Sequence, residues 1–154
     1  MGIEIERKFL VTNDAWKEFA VSSFLKQGYI SSEPGRIVRV RIEGETAMLT
    51  IKGLNTGISC GEWEYPIPLN DAQMLLDTVC QKPLIEKYRY RLPMDGLTWE
   101  IDEFLGANAG LVVAEIELPS EDFKFHRPEW LGEEVSHDRR YANANLLKQP
   151  YKSW

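Results

Sequence analysis

The chain opens with the stretch Gly2-Ile3-Glu4-Ile5-Glu6-Arg7-Lys8-Phe9-Leu10-Val11, in which apolar and charged side chains alternate. Successive side chains of a β-strand point to opposite faces, so Glu4, Glu6 and Lys8 share one face and the isoleucines share the other. The alternation predicts a strand at 2–11 that has one apolar face and one charged face.

The same alternation recurs along the chain and predicts a sheet of such strands. Further strands are predicted at 37–42, 47–52, 62–67, 85–92, 98–104 and 111–118. Their charged faces, with that of the first strand, carry Glu4, Glu6, Lys8, Arg39, Arg41, Lys52, Glu62, Glu64, Lys87, Arg89, Arg91, Glu100, Asp102, Glu115 and Glu117. Most of the strands are joined by short turns, which favours antiparallel pairing and an α+β fold.

The charged faces are almost purely ionic, and each strand tends to carry one sign of charge. One such strand is typical of a sheet that faces water. Like charges at i and i+2 lie about 6.6 Å apart and repel, which over several strands indicates a ligand between them. Amphipathic helices predicted at 14–27, ending at Gly28, at 70–81 and at 141–148 would cover the apolar faces. A closed or nearly closed antiparallel barrel with an ionic interior satisfies both faces.

Length and composition are those of one globular domain, which we place at 1–154. Hydrophobic residues make up 44% of the 154 residues, charged residues 27%, and the net charge is −6. The acidic balance disfavours broad nucleic-acid binding, and no membrane span or signal peptide is evident, so a cytoplasmic location is expected. The two cysteines indicate neither a disulfide framework nor a zinc site. The sequence does not fix the oligomeric state, and a homodimer is compatible with it.

The two kinds of charge suit two parts of one ligand. Arginine and lysine clusters bind phosphate oxygens, and paired carboxylates bind hard divalent cations such as Mg²⁺ or Mn²⁺. Together they indicate a polyphosphate chelated to metal, with one or two ions that neutralise phosphate and orient a water molecule for attack on phosphorus.

The order of these motifs resembles the CYTH superfamily, the triphosphate tunnel metalloenzymes. Glu4-x-Glu6-x-Lys8 is similar to the signature of that family. The other matching segments, in order, are Val38-Arg39-Val40-Arg41, Thr50-Ile51-Lys52, Glu62-Trp63-Glu64-Tyr65, Lys87-Tyr88-Arg89, Ile101-Asp102-Glu103-Phe104, Ala114-Glu115-Ile116-Glu117-Leu118 and Asp138-Arg139-Arg140-Tyr141-Ala142-Asn143. The resemblance covers nearly the whole chain and is closest to the small bacterial tripolyphosphatases.

The resemblance implies an eight-stranded tunnel that hydrolyses a terminal phosphoanhydride without a covalent intermediate. It implies a triphosphate held by Lys8, Arg39, Arg41, Lys52, Lys87 and Arg89. It implies one or two divalent metals, Mg²⁺ or Mn²⁺, bound by Glu4, Glu6, Glu62, Glu64, Asp102, Glu115 and Glu117. Among these, Glu4, Glu6 and Lys8 would act in catalysis, together with Tyr29. Tyr29 stands where some relatives have a tyrosine that pairs with the signature lysine, and the alternative for it is a plain core aromatic.

Substrate choice stays open at this level. Inorganic triphosphatases, thiamine triphosphatases and class IV adenylate cyclases share the implied tunnel, and a module that binds polyphosphate or nucleotide without turnover is the non-enzymatic alternative. We expect a small-molecule triphosphate, most simply inorganic tripolyphosphate. One departure from the family pattern is Cys60, which stands where many relatives carry a basic residue.

Overall fold

Nine strands and two α-helices build residues 2–154, the part of the chain that this computed structural model describes. In chain order they are β1 (Gly2–Val11), β2 (Val21–Glu33), β3 (Arg36–Glu43), β4 (Thr46–Thr56), β5 (Ser59–Pro66), α1 (Leu69–Thr78), β6 (Ile85–Met94), β7 (Leu97–Phe104), β8 (Val112–Glu117), β9 (Leu131–Glu134) and α2 (Asn143–Leu146). Short 3₁₀ turns lie at Ala15–Phe19, Gly106–Asn108, Arg139–Tyr141 and Tyr151–Ser153. No helix within 2–154 has the length and apolar character needed to cross a membrane.

The first eight strands close into an antiparallel barrel, as the sequence predicts. Their order around the barrel is β5-β4-β3-β2-β6-β7-β8-β1, and β1 returns to pair with β5. The closing register runs from Gly2 opposite Glu62 to Ile5 opposite Ser59. Beyond that point β9 takes the place of β5 beside β1. Closure satisfies the backbone hydrogen bonds of strands that would otherwise form open edges.

Apolar side chains cover most of the outside of the barrel. Phe9, Trp99, Ile101 and Ile116 of β1, β7 and β8 pack there with Trp16 of the first 3₁₀ turn. On another part of the outer face, α1 packs against β3 and β4. The charged positions of the same strands therefore point inward, because side chains alternate along each strand.

One end of the barrel interior is filled by the C-terminal segment. Leu146 of α2 and Tyr141 pack against Ile85, Phe104 and Val113, which belong to one buried cluster. Ile85 and Phe104 lie two residues from the inward Lys87 and Asp102, so they also face the interior. Thus α1 packs on the outer face of the barrel, whereas α2 closes one end of its interior.

The prediction of a helix at 14–27 is wrong. The structure has a 3₁₀ turn at Ala15–Phe19 and then β2, which hydrogen-bonds to both β3 and β6. Phe24 fits helical spacing, but it lies on the outer face and packs edge-on against Tyr88. Gly28 does not end a helix and instead lies within β2. Strand pairing on both sides outweighs the local helical pattern.

The two other predicted helices are shorter than expected, and one strand was not predicted. The helix predicted at 70–81 is α1, at Leu69–Thr78, and the one predicted at 141–148 shortens to α2 after a 3₁₀ turn. No pattern in the sequence predicts β9. A four-residue strand gives almost no periodic signal, so its pairing with β1 decides its structure.

Candidate functional site

A cavity of about 320 Å³ lies inside the barrel. Its wall includes Glu4, Glu6, Lys8, Tyr29, Arg39, Arg41, Lys52, Glu62, Glu64, Lys87, Arg89, Glu115 and Glu117. The structure therefore brings every predicted site residue except Asp102 to one cavity. The period of two along each strand places them there, since each is an inward position of its strand.

Carboxylates gather where β1 meets β5 and β8. We use the term acidic cluster for Glu4, Glu6, Glu62 and Glu117. Glu6 lies opposite Glu117 in the β1–β8 register, and the β1–β5 register sets Glu4 near Glu62. Lys52 of β4 reaches into the cluster, with its Nζ 3.0 Å from Glu4 Oε1 and 3.5 Å from Glu62 Oε2.

The acidic cluster carries more negative charge than its surroundings balance. Burial and repulsion from Glu115 and Glu4 raise the pKa of Glu6 well above its usual value. Burial and the proximity of Glu4 also raise the pKa of Glu62 and of Glu117. Burial disfavours the charge on Lys52, yet the surrounding carboxylates outweigh that effect and raise its pKa. This end of the cavity favours additional positive charge.

Oxygen donors of this kind fit a hard divalent cation. Within residues 2–154 no three acidic side chains already form a ligand set for one ion. Mg²⁺ is commonly held by one or two carboxylates, with water and substrate phosphate completing its shell. The surplus of carboxylates and their raised pKa values therefore fit such an ion. Glu4, Glu6, Glu62 and Glu117 are the residues that would hold it.

Cations line β3 on another side of the cavity. The Arg39 Nη2 atom lies 3.3 Å from Thr50 Oγ1 and 3.7 Å from Glu64 Oε2, and Arg41 Nη2 lies 3.8 Å from the same carboxylate oxygen. Burial, with repulsion from Arg39 and Arg89, lowers the pKa of Arg41 to about 10. Within the described chain Arg39 Nε is buried without a hydrogen-bond partner. A bound anion would satisfy this donor and relieve the repulsion.

Asp102 joins the cations of β6 rather than the acidic cluster. Its two carboxylate oxygens accept hydrogen bonds of 2.8 and 2.9 Å from Arg89, and Lys87 Nζ lies 2.8 Å from Oδ2. Burial opposes the charge of Asp102, but Arg89 and Lys87 outweigh it and lower the pKa of this carboxyl. In this arrangement Asp102 is the counter-ion of two buried cations.

Glu115 lies between the two kinds of charge. Burial acts to raise its pKa, but Lys8 and a hydrogen bond with Glu6 outweigh burial and lower the pKa to about 2. Arg89 Nη2 lies 3.5 Å from Glu115 Oε1. The two neighbouring carboxyl groups are thus shifted in opposite directions, with the pKa of Glu6 raised and that of Glu115 lowered.

Lys8 and Tyr29 both face the cavity but have different partners. Lys8 Nζ donates to the backbone oxygen of Tyr141 at 3.3 Å and lies 3.7 Å from Glu115 Oε2. The Tyr29 hydroxyl accepts a hydrogen bond from Gln27 Nε2 at 3.2 Å. Across the residues described, no hydrogen bond joins Lys8 to Tyr29.

Two polar residues at the site were missed by the sequence analysis. Asn143 of α2 accepts hydrogen bonds through Oδ1 from Lys87 Nζ at 2.9 Å and from Gln27 Nε2 at 3.3 Å. Thr50 donates to Glu64 Oε2 at 2.9 Å. The strand alternation signals Thr50, which is two residues before Lys52. Asn143 ends the tail motif, but nothing local in the sequence shows what it contacts.

Cys60 occupies an inward position and lines the cavity. Its Sγ donates to the backbone oxygen of Gly53 at 3.4 Å, and burial raises the pKa of the thiol. The thiol is therefore neutral near pH 7 and does not replace the positive charge of a basic residue.

The fold and the site together define a class: a closed antiparallel β-barrel whose interior sets carboxylates against arginines and lysines around one cavity. The CYTH domain profile matches residues 2–151, and the chain belongs to the CYTH family.

Relatives from two bacteria match along almost the whole chain. A protein of Acetivibrio thermocellus named inorganic triphosphatase is 51% identical over 154 residues, which cover 100% of this chain and 99% of the relative. A protein of Nitrosomonas europaea with the same name is 38% identical over 148 residues, 93% of this chain and 95% of the relative. The crystal structure of an inorganic triphosphatase superposes with a TM-score of 0.65 at 34% identity, covering 93% of this chain and 96% of the other.

Proposed function

We propose that this protein is a metal-dependent inorganic triphosphatase that hydrolyses tripolyphosphate and releases orthophosphate. The observation that carries the proposal is the opposition of the acidic cluster to the arginines of β3 across a single cavity. Membership of the CYTH family and the names of the two bacterial relatives support it. An anion alone would explain the arginines and a cation alone would explain the carboxylates. A phosphate chain chelated to a cation explains both sets of charges.

Arg39 and Arg41 would hold phosphate oxygens, Arg39 with its unpaired Nε aimed at the anion. Lys52, beside Glu4 and Glu62, and Lys8, beside Glu115, would also contact phosphate oxygens. The acidic cluster would hold one or two Mg²⁺ or Mn²⁺ ions. When bound, such an ion supplies Lewis-acid stabilisation and lowers the pKa of a ligated water. Water attacks phosphorus, the bridging P–O bond breaks, and orthophosphate and pyrophosphate leave.

The direct test is phosphate release with Mg²⁺ or Mn²⁺ from tripolyphosphate, pyrophosphate, ATP and thiamine triphosphate, with cyclic AMP measured in the ATP reaction. We expect chelator-sensitive hydrolysis of tripolyphosphate to exceed that of the other substrates. Cyclic AMP formed without orthophosphate would instead indicate a cyclase. Tight binding without metal-dependent turnover would indicate a binding module.

A matched pair of variants tests the acidic cluster. Glu4→Gln or Glu6→Gln should lower kcat by at least about a hundredfold, because each removes an anionic ligand while keeping the size of the side chain. Glu45→Gln, at the exposed β3–β4 turn, removes the same charge and should leave kcat unchanged. Near-normal turnover by either cluster variant would show that the metal lies elsewhere.

A further inference from the structure

An ion-pair group lies near one end of the barrel, beyond the cavity. Arg91 of β6 donates from Nη1 to Glu43 Oε2 at 2.5 Å and from Nη2 to Glu43 Oε1 at 3.0 Å. Ser23 of β2, the strand between them, donates to Glu43 Oε2 at 2.5 Å and accepts from Arg91 Nη1 at 3.1 Å. Arg91 Nε also lies 3.4 Å from Glu100 Oε2. Each nitrogen of the Arg91 guanidinium therefore has a carboxylate oxygen within 3.4 Å.

This group is at the opposite end from α2. Asn143 of α2 contacts Lys87 near the start of β6, whereas Arg91 is four residues further along that strand. At about 3.3 Å per residue, this separates the two positions by about 13 Å along the strand.

The inward cations of β6 and β3 form a row along the cavity, which we call the phosphate-binding track. The ion-pair group lies where this track ends. On β6 the inward positions are Lys87, Arg89 and Arg91, and the first two line the cavity while the third does not. On β3 the inward positions after Arg39 are Arg41, which lines the cavity, and Glu43, which does not. Thus the next inward residue of β6 beyond the cavity is again a cation, Arg91. The next inward residue of β3 is an anion, Glu43, which contacts Arg91.

The negative charge of Glu43 has two effects on a phosphate chain that extends past the cavity. Glu43 neutralises Arg91, the next cation that the chain would meet, and its own carboxylate repels the chain. The hydrogen bonds from Arg91, the largest influence, and from Ser23 lower the pKa of Glu43 to about 2 against the effect of burial, so the carboxylate is charged at neutral pH.

We propose that Glu43 is a specificity-determining residue that ends the phosphate-binding track at Arg91 and restricts the cavity to short linear phosphates. The proposal rests on the proposed triphosphatase function. Glu43→Gln would release the two Nη atoms of Arg91 from a carboxylate, with Glu100 still beside its Nε, and would lengthen the track by one phosphate.

The test compares linear tetrapolyphosphate with tripolyphosphate as separate substrates at saturating Mg²⁺. Initial loss of each chain is followed by anion-exchange chromatography, so that tripolyphosphate formed from the longer chain is not counted. In Glu43→Gln the ratio of kcat/KM for the longer chain to that for the shorter should rise on the order of tenfold, the effect of about one charge-assisted hydrogen bond. The double variant Glu43→Gln with Arg91→Gln should return to the wild-type ratio. Glu45→Gln should keep that ratio.

A folded Glu43→Gln variant with an unchanged ratio would overturn the proposal. So would a gain that survives in the double variant, since Arg91 would then not be its source. If Glu43→Gln does not fold, Glu43→Asp keeps the charge but withdraws the carboxylate by one methylene, and a smaller rise is expected from it; an unchanged ratio again refutes the proposal. A wild-type protein inactive on tripolyphosphate would refute the proposed function itself, which distinguishes the two failures.

Discussion

Lys87 is an ammonium group whose side chain is only 1% exposed. Asp102 and Asn143 accept its hydrogen bonds, and the ring of Phe104 lies 5.3 Å from its Nζ. Burial, the largest influence, lowers its pKa to about 8 even though Asp102 favours the charged form. A cation held this way stays available to the cavity only because one carboxylate compensates it.

Asp102→Asn should therefore destabilise the protein by about 3–5 kcal/mol at pH 7, since it leaves the buried Lys87 without a carboxylate partner and removes the bidentate partner of Arg89. The pKa of Asp102 is lowered on folding, so this stabilisation is present above about pH 4 and is lost as the pH falls further. Urea unfolding should show the wild type and the variant converging in acid. Asp77→Asn, on the exposed face of α1, serves as the control. Equal stability of Asp102→Asn and wild type at pH 7 would contradict this account of Asp102.

At the scale of elements, β2 and α1 meet through a glycine. A Cβ built at Gly28 would lie 2.7 Å from Leu84 Cδ2, 2.9 Å from Cys80 Cβ and 3.0 Å from Leu76 Cδ2. The end of α1 and the segment after it rest directly on the backbone of β2 at this point. This close approach explains why a glycine stands in the middle of a strand.

Gly28→Ala should lower the free energy of unfolding by about 1–3 kcal/mol through overpacking. Gly53→Ala is the matched control, because a Cβ at Gly53 has no neighbour nearer than 3.9 Å. Chemical denaturation of both variants measures the difference. If the two variants lose the same stability, the contact between α1 and β2 is looser than the structure indicates.

Strand alternation is a local property, so it predicted which side chains face the interior, from Glu4 on β1 to Glu117 on β8. It could not predict which of them pair. Asp102 and Glu115 share the same pattern, yet the register of β6 with β7 sets Asp102 opposite Arg89. Asn143 reaches Lys87 only because the C-terminal segment folds back over the barrel end. In the region of β2, local spacing favoured a helix, and only pairing with two neighbouring strands decided the structure.

At the scale of the whole molecule, closure of the barrel is what brings the charges together. The strands β5 and β1 are the first and the eighth in the order of the sheet, and closure makes them neighbours. Their pairing sets Glu4 and Glu62 beside Lys52. An open sheet would leave the carboxylates of β1 and the arginines of β3 on one solvated face. The closed one confines both around a single cavity, where low dielectric strengthens their interaction with a ligand.

The measurement that tests this most directly is a crystal structure with Mn²⁺ and a non-hydrolysable tripolyphosphate analogue. The anomalous signal of manganese should lie at the acidic cluster, within ligand distance of Glu4 or Glu6, and the phosphate chain should contact Arg39 and Arg41. Manganese bound at Asp102, or an analogue bound outside the barrel, would contradict the account.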